Sequence, residues 1–131
     1  MHYPGFLIFV ISVLIAISIH EAAHAWAAHI LGDDTAKNQG RLSLDPRKHL
    51  DIYGTLMFLF AGIGWGKPVP VDPVYFQNPK RDSAIVALAG PLSNFLLALV
   101  LGVLSKHVGG GLQMTLRYMV DINIALCAFN L

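Results

Sequence analysis

The chain has 131 residues, of which 55% are hydrophobic and only 13% charged, with a net charge of +1. Soluble domains carry about 25% charged residues, so the deficit indicates a membrane protein of one small domain. The near-neutral balance gives nucleic-acid binding no electrostatic support, and the single cysteine, Cys127, excludes an internal disulfide and a cysteine-rich metal cluster.

The first apolar segment covers residues 5–31. Within it, Phe6–Ile19 has only Ser12 and Ser18 as polar positions. Met1-His2-Tyr3-Pro4-Gly5 lacks the basic residues of a signal peptide, and the apolar run continues through Leu31. Residues 5–31 as a helix would extend about 40 Å, enough to cross a hydrocarbon core of about 30 Å. A retained transmembrane helix is expected.

His20, Glu21 and His24 lie past the midpoint of this segment and read H-E-A-A-H. Residues four apart share a helical face, so both imidazoles can reach one metal ion, with the intervening Glu placed as general base. Ionisable groups in a membrane span are costly and mark functional sites. The expected centre has His20 and His24 as Zn2+ ligands and Glu21 as the catalytic base. A catalytic zinc takes three protein ligands, and the third is missing. His29 lies on the opposite side of the helix from His20, and Asp121 reads as a helix-start residue. His2, His49 and His107 read as solvated loop histidines.

The second apolar segment, Gly54–Gly64, is too short to span as a helix. Arg41–Asp45 and Pro68–Asp72 flank it and both alternate with period two, predicting two short strands, the second confined to an edge by its prolines. A re-entrant or β-hairpin segment is expected within residues 32–82. The third segment, 83–105, is a second transmembrane helix. The fourth, residues 118–131, is the start of a third. As a helix, Met119–Leu131 reaches only about 20 Å and would end inside the hydrocarbon, so the natural chain is expected to continue. The fold class is therefore an all-α polytopic membrane protein with about three spans, forming a single domain over residues 1–131.

Seven of the nine basic residues lie within residues 32–82. The positive-inside rule then places this connector in the cytoplasm and the N-terminus outside. The histidine pair falls toward the cytoplasmic half of a multi-pass protein in the cell membrane.

Three stretches in this order, H-E-A-A-H, Gly64-Trp65-Gly66-Lys67-Pro68-Val69-Pro70-Val71 and Gly90-Pro91-Leu92-Ser93-Asn94, resemble the site-2 protease family, the M50 intramembrane zinc metalloproteases. The likeness is to the small members without a PDZ domain and covers nearly the whole chain. It implies cleavage of transmembrane protein substrates within the lipid bilayer. It also implies a third ligand, the aspartate of an N-x-x-P-x-x-x-L-D-G motif whose start Ala128-Phe129-Asn130-Leu131 resembles, hence a C-terminally truncated chain. Asn130 would then lie near the scissile carbonyl as an oxyanion donor. Asn94 reads as an interhelical hydrogen bond. The alternative function is a non-catalytic metal-binding or client-holding membrane module.

Overall fold

The computed structural model describes residues 5–131. Among these residues five α-helices form, α1 (Phe6–Ile30), α2 (Thr35–Asn38), α3 (Ile52–Ala61), α4 (Pro79–Ser105) and α5 (Gly110–Phe129), with 3-10 turns at Pro46–Lys48 and Pro73–Tyr75. The Met1–Pro4 part of the N-terminal reading, including His2, lies outside the described residues.

Three long helices make the body. α4 is central, packing against α5 on one side and α1 on the other. Two helices, α1 and α4, are long and apolar enough to cross a membrane by length and composition. α5 does not meet that test among the described residues. It begins at Gly110, well before the predicted start at residue 118. Gln113, Thr115, Arg117 and Asp121 dilute its apolar pattern, which is why hydropathy alone misplaces its start.

The packing is inside-out relative to a water-soluble bundle. The buried positions of α1 are Ser12, Ala16, Ser18, His20, Ala25 and Ala28, all small or polar. None of its large apolar side chains is buried, and Phe6, Leu7, Ile11, Ile15 and Ile30 are exposed. On α4 the buried stripe runs Asp82, Val86, Gly90, Asn94 and Ala98 at steps of four. Phe95, Leu96, Leu99 and Val100 face outward. Small residues let the helix backbones approach closely, as in bilayer-embedded bundles. The buried serine hydroxyls are satisfied within their own helix, Ser12 donating to the carbonyl of Ile8 and Ser18 to that of Leu14.

Local chemistry sets the helix ends. Asn78 caps α4 by accepting from the amide of Arg81, and Pro79 follows at the first helical position, where its missing N–H costs nothing. Asp51 caps α3, accepting from the amide of Gly54 at 2.8 Å. α3 stops at Gly62, whose φ of +73° is the left-handed cap that favours glycine. Pro91 sits inside α4 and cannot donate to the carbonyl of Ala87, one turn earlier.

The connector departs from expectation. Neither Arg41–Asp45 nor Pro68–Asp72 forms a strand, and the pairing found is one isolated antiparallel bridge, Leu50 to Gly66. Pro68 and Pro70 have no N–H to give a ladder. The guanidinium of Arg41 instead donates to the carbonyls of Lys67 at 2.5 Å and Pro68 at 3.2 Å. The residues between them fold as α3, a ten-residue apolar helix, instead of the turn of a hairpin. α3 is tethered through Phe9, whose ring lies 5.5 Å from that of Phe58 and 6.3 Å from that of Tyr118. The far end of the connector is pinned by Phe76, buried with Ala28 and Val86.

Candidate functional site

His20 and His24 project from one face of α1 toward α4, as their spacing requires. Their rings meet edge to face with centroids 4.7 Å apart. His20 Nδ1 lies 2.5 Å from Asn94 Oδ1, and His24 Nδ1 lies 2.7 Å from the backbone oxygen of Val86. Both facing atoms are acceptors, so each Nδ1 carries a proton and donates it. Each neutral ring then presents a bare lone pair on Nε2. These two nitrogens face each other at 3.0 Å.

Two lone pairs at that distance repel unless they share a cation. Zinc–imidazole bonds are about 2.0–2.1 Å, so two ligands of one ion lie no more than about 4 Å apart, and the pair meets that limit. An acceptor on the far nitrogen is also the ordinary way a protein orients a metal-binding histidine. The histidine pair therefore fits a metal ion as two of its ligands. Among the described residues, no set of three His, Cys, Asp or Glu side chains converges.

Gly90 makes this approach possible. A Cβ placed there would lie 2.5 Å from His20 Nε2 and closer still to His24 Nε2. No side chain of any kind fits, so α4 passes the two Nε2 atoms with bare backbone.

The pair borders a cavity of 410 Å³. Glu21, half-buried, lines it beside the two histidines. One wall is the extended segment carrying Pro68, Val69 and Val71, and another is Ser83, Val86 and Ala87 of α4. Asn130, just beyond α5, also lines it. The structure thus gathers His20, Glu21, His24 and Asn130 around one space, although Asn130 is 109 positions from Glu21 in the chain (130 − 21). Asn130 donates from Nδ2 to the carbonyl of Leu126 at 2.8 Å, which holds its amide at the helix end.

One histidine lies where the sequence did not place it. His49 is fully buried, with Nε2 donating to the carbonyl of Ser43 at 2.6 Å. It anchors the connector and is not solvated. His29 pairs with Asp34 at the end of α1, away from the cavity. Asp121 is exposed in the middle of α5 and not at a helix start, because the helix begins at Gly110.

Sequence reasoning overlooked Asn123 and Asp33. Asn123 is fully buried and accepts from Asn94 Nδ2 at 2.8 Å. An amide flanked by Ile122 and Ile124 was the available signal. Asp33 is fully buried too, accepting from the amide and hydroxyl of Thr35 and from the amide of Asp72 at 2.7 Å. Burial pushes the Asp33 carboxyl up, but these three hydrogen bonds outweigh it and hold the group below its ordinary range.

Known proteins agree with this chemistry. The chain is 40% identical to "Putative zinc metalloprotease YwhC" of Bacillus subtilis, across 100% of this chain and 66% of that protein. It is 34% identical to "Putative zinc metalloprotease Rip2" of Mycolicibacterium smegmatis, across 77% of this chain and 41% of the relative. Against Rip2 of Mycobacterium tuberculosis it is 36% identical, across 76% and 40% respectively. No family model matches the chain, and no solved structure matches it significantly. The chain spans just under two thirds of YwhC and about two fifths of the Rip2 proteins, and it belongs with them to a metalloprotease family.

Proposed function

We propose that the protein is an intramembrane zinc metalloprotease of the site-2 type, cleaving transmembrane segments of other membrane proteins. The observation that carries this reading is the pair of bare Nε2 lone pairs on His20 and His24, 3.0 Å apart on an apolar helix long enough to span, with Glu21 beside them on a cavity. The names of the relatives support zinc and proteolysis. The large apolar side chains on the outside of α1 and α4 support a lipid setting.

His20 and His24 would hold the zinc, with a third ligand supplied by the aspartate that the family resemblance places after Asn130. When bound, zinc supplies Lewis acidity that activates water and polarises the scissile carbonyl. Glu21 takes a proton from the attacking water and returns it to the leaving amine. Asn130 stabilises the developing oxyanion through its side-chain amide.

A helical substrate hides its carbonyls in hydrogen bonds and must unwind before attack. Pro68–Val71 offers an extended rail along the cavity wall for the unwound stretch. β-Addition there would use the amides of Val69 and Val71, because the two prolines have none. Arg41–Asp45, the other segment suited to such a role, does not line the cavity. The excess of basic residues in the connector orients the protein with its N-terminus outside and its site toward the cytoplasmic half. α3, apolar and exposed, is the re-entrant element in this arrangement, and α5 is the third span.

The reading is tested by cleavage of a transmembrane substrate by the full-length protein in detergent micelles, with zinc measured in the same preparation. Glu21→Gln is expected to bind zinc and not cleave, whereas His20→Ala and His24→Ala lose both. Undiminished cleavage by Glu21→Gln would overturn the mechanism. Zinc binding without cleavage by the wild-type protein, on any transmembrane substrate offered, would instead favour a non-catalytic metal-binding module.

A further inference from the structure

We infer that Asn94 and Asn123 form a relay that presets the metal-binding tautomer of His20, so that the docking of α5 sets the metal affinity of a centre carried by α1. This inference rests on the metal-centre reading above.

The relay begins at two backbone carbonyls that cannot change character. The oxygen of Met119 accepts from Asn123 Nδ2 at 2.8 Å. That fixes which end of the Asn123 amide is nitrogen, leaving its oxygen to face Asn94. The oxygen of Ala16 lies 3.1 Å from Asn94 Nδ2, and Asn123 Oδ1 lies 2.8 Å from the same nitrogen. Both are acceptors. A flipped Asn94 would set oxygen against oxygen at both contacts, so the NH2 group must point that way. Both its protons are then used, and Oδ1 is left facing His20 Nδ1 at 2.5 Å.

An acceptor at that position requires the proton of a neutral His20 on Nδ1. The lone pair is thereby forced onto Nε2, beside His24. Each step follows from the one before, and none has a solvent route of escape. Asn94 and Asn123 are both 0% exposed, so water cannot replace a lost partner. His24 needs no relay, because its Nδ1 donates directly to a main-chain carbonyl. The two ligands are therefore oriented by different means. His24 depends on α4 alone, and His20 depends on α4 and α5 together.

Asn94 and Asn123 are positioning residues, and a purely structural role makes a different forecast. Asn94→Leu removes the acceptor of His20 and should weaken Zn2+ binding about 10–100-fold, the usual range for an orienting partner. Asn123→Leu leaves Asn94 its bond to Ala16 and should weaken Zn2+ binding less, by about tenfold or under. Asn94→Asp keeps an acceptor toward His20 but sets a buried carboxylate against two other acceptors. If Asn94 only holds helices together, Asn94→Asp damages the protein at least as much as Asn94→Leu. The relay predicts that Asn94→Asp binds Zn2+ far more tightly than Asn94→Leu even where its thermal stability is lower.

The experiment is chelator competition for Zn2+ on the full-length protein in micelles, with the metal-free wild type labelled with 15N-histidine and its ring tautomers assigned by NMR. The expected spectrum has the proton on Nδ1 for both His20 and His24. Equal Zn2+ affinity in Asn94→Leu and wild type, or a metal-free His20 with its proton on Nε2, overturns the relay while leaving the metal centre standing. A wild type that does not bind Zn2+ overturns the centre itself, and the relay with it. If Asn94→Leu does not fold, Asn123→Leu and the wild-type tautomers decide the question.

Discussion

The helical bundle and the connector both bury polar side chains, and they use them for opposite ends. In the connector, buried polar groups bond to backbone. Asp33 takes amides of Thr35 and Asp72, Arg41 holds the carbonyls of Lys67 and Pro68, and His49 holds that of Ser43. These bonds replace the strand ladder that the prolines forbid, so the connector has shape without a sheet. In the bundle, His20, Asn94 and Asn123 bond to one another across three helices, and the histidine pair is left with two nitrogen lone pairs facing each other. Burial of a polar group is costly unless its partners are supplied. The connector supplies them all at Asp33 but leaves Arg41 Nε and His49 Nδ1 without a partner, each alone, whereas in the bundle two histidine nitrogens converge on one point where a metal could provide the missing charge. Convergence of two lone pairs on one point is thus a more informative sign of function than burial or a missing partner alone.

Substitutions can break each side of this contrast separately. The largest effect is expected at Glu21, where Gln should reduce peptide hydrolysis by about 10²–10⁴-fold, the usual contribution of a general base, without loss of zinc. Gly90→Ala should come next. Its methyl would occupy the space of both Nε2 atoms, costing about 1–3 kcal/mol in overpacking and expelling zinc, measured by thermal melting and chelator competition. Zinc retained at wild-type affinity in Gly90→Ala would show that α4 does not press on the histidines.

In the connector, Arg41→Leu should leave zinc affinity unchanged and loosen the rail at Pro68. A rise in KM of about tenfold with a smaller change in kcat is expected, since losing a buried bond to a charged group costs about 1.5–3 kcal/mol. An equal fall in zinc affinity would mean that bundle and connector are not separable. The smallest effect concerns acid. The Asp33 carboxyl is held below its ordinary value in the folded protein. Its contribution is therefore present above the unfolded value near 3.8 and is lost as pH falls through the lower folded value. Asp33→Asn should be about 1 kcal/mol less stable at pH 6 and show a shallower loss of stability below pH 4 than wild type. Limited proteolysis of the connector across that range reads the difference.

The contrast also explains what the sequence disclosed. The bundle was largely legible: H-E-A-A-H gave the convergent histidine pair and the adjacent Glu21 through helical spacing alone, and the apolar runs gave α1 and α4 within a few residues. α5 was found late because Arg117 and Asp121 interrupt a pattern that hydropathy needs unbroken. Asn123 was missed because an amide inside an apolar run has no meaning until its partner helix is known. The connector was mostly illegible. Period-two alternation in Arg41–Asp45 and Pro68–Asp72 suggested strands, but alternation describes which side chains are buried and not where backbone bonds go. His49 reads from sequence as a solvated loop histidine and Asp33 does not stand out at all, because their partners are backbone groups up to 39 positions away, which no local pattern records.

Pro91 carries one more consequence. The proposed hydrolysis inside a bilayer would have to bring water to a place that repels it. Because proline has no N–H, the carbonyl of Ala87 is released from the helix ladder at a residue that lines the cavity. A carbonyl freed of its helical partner is a strong acceptor, and the ready donor in an open cavity is water. Pro91 thus makes a hydrophilic foothold on the largely apolar α4 wall, one helical turn from the glycine that clears the two histidine Nε2 atoms. The same two adjacent residues, Gly90 and Pro91, would make room for the ion and keep its surroundings wet.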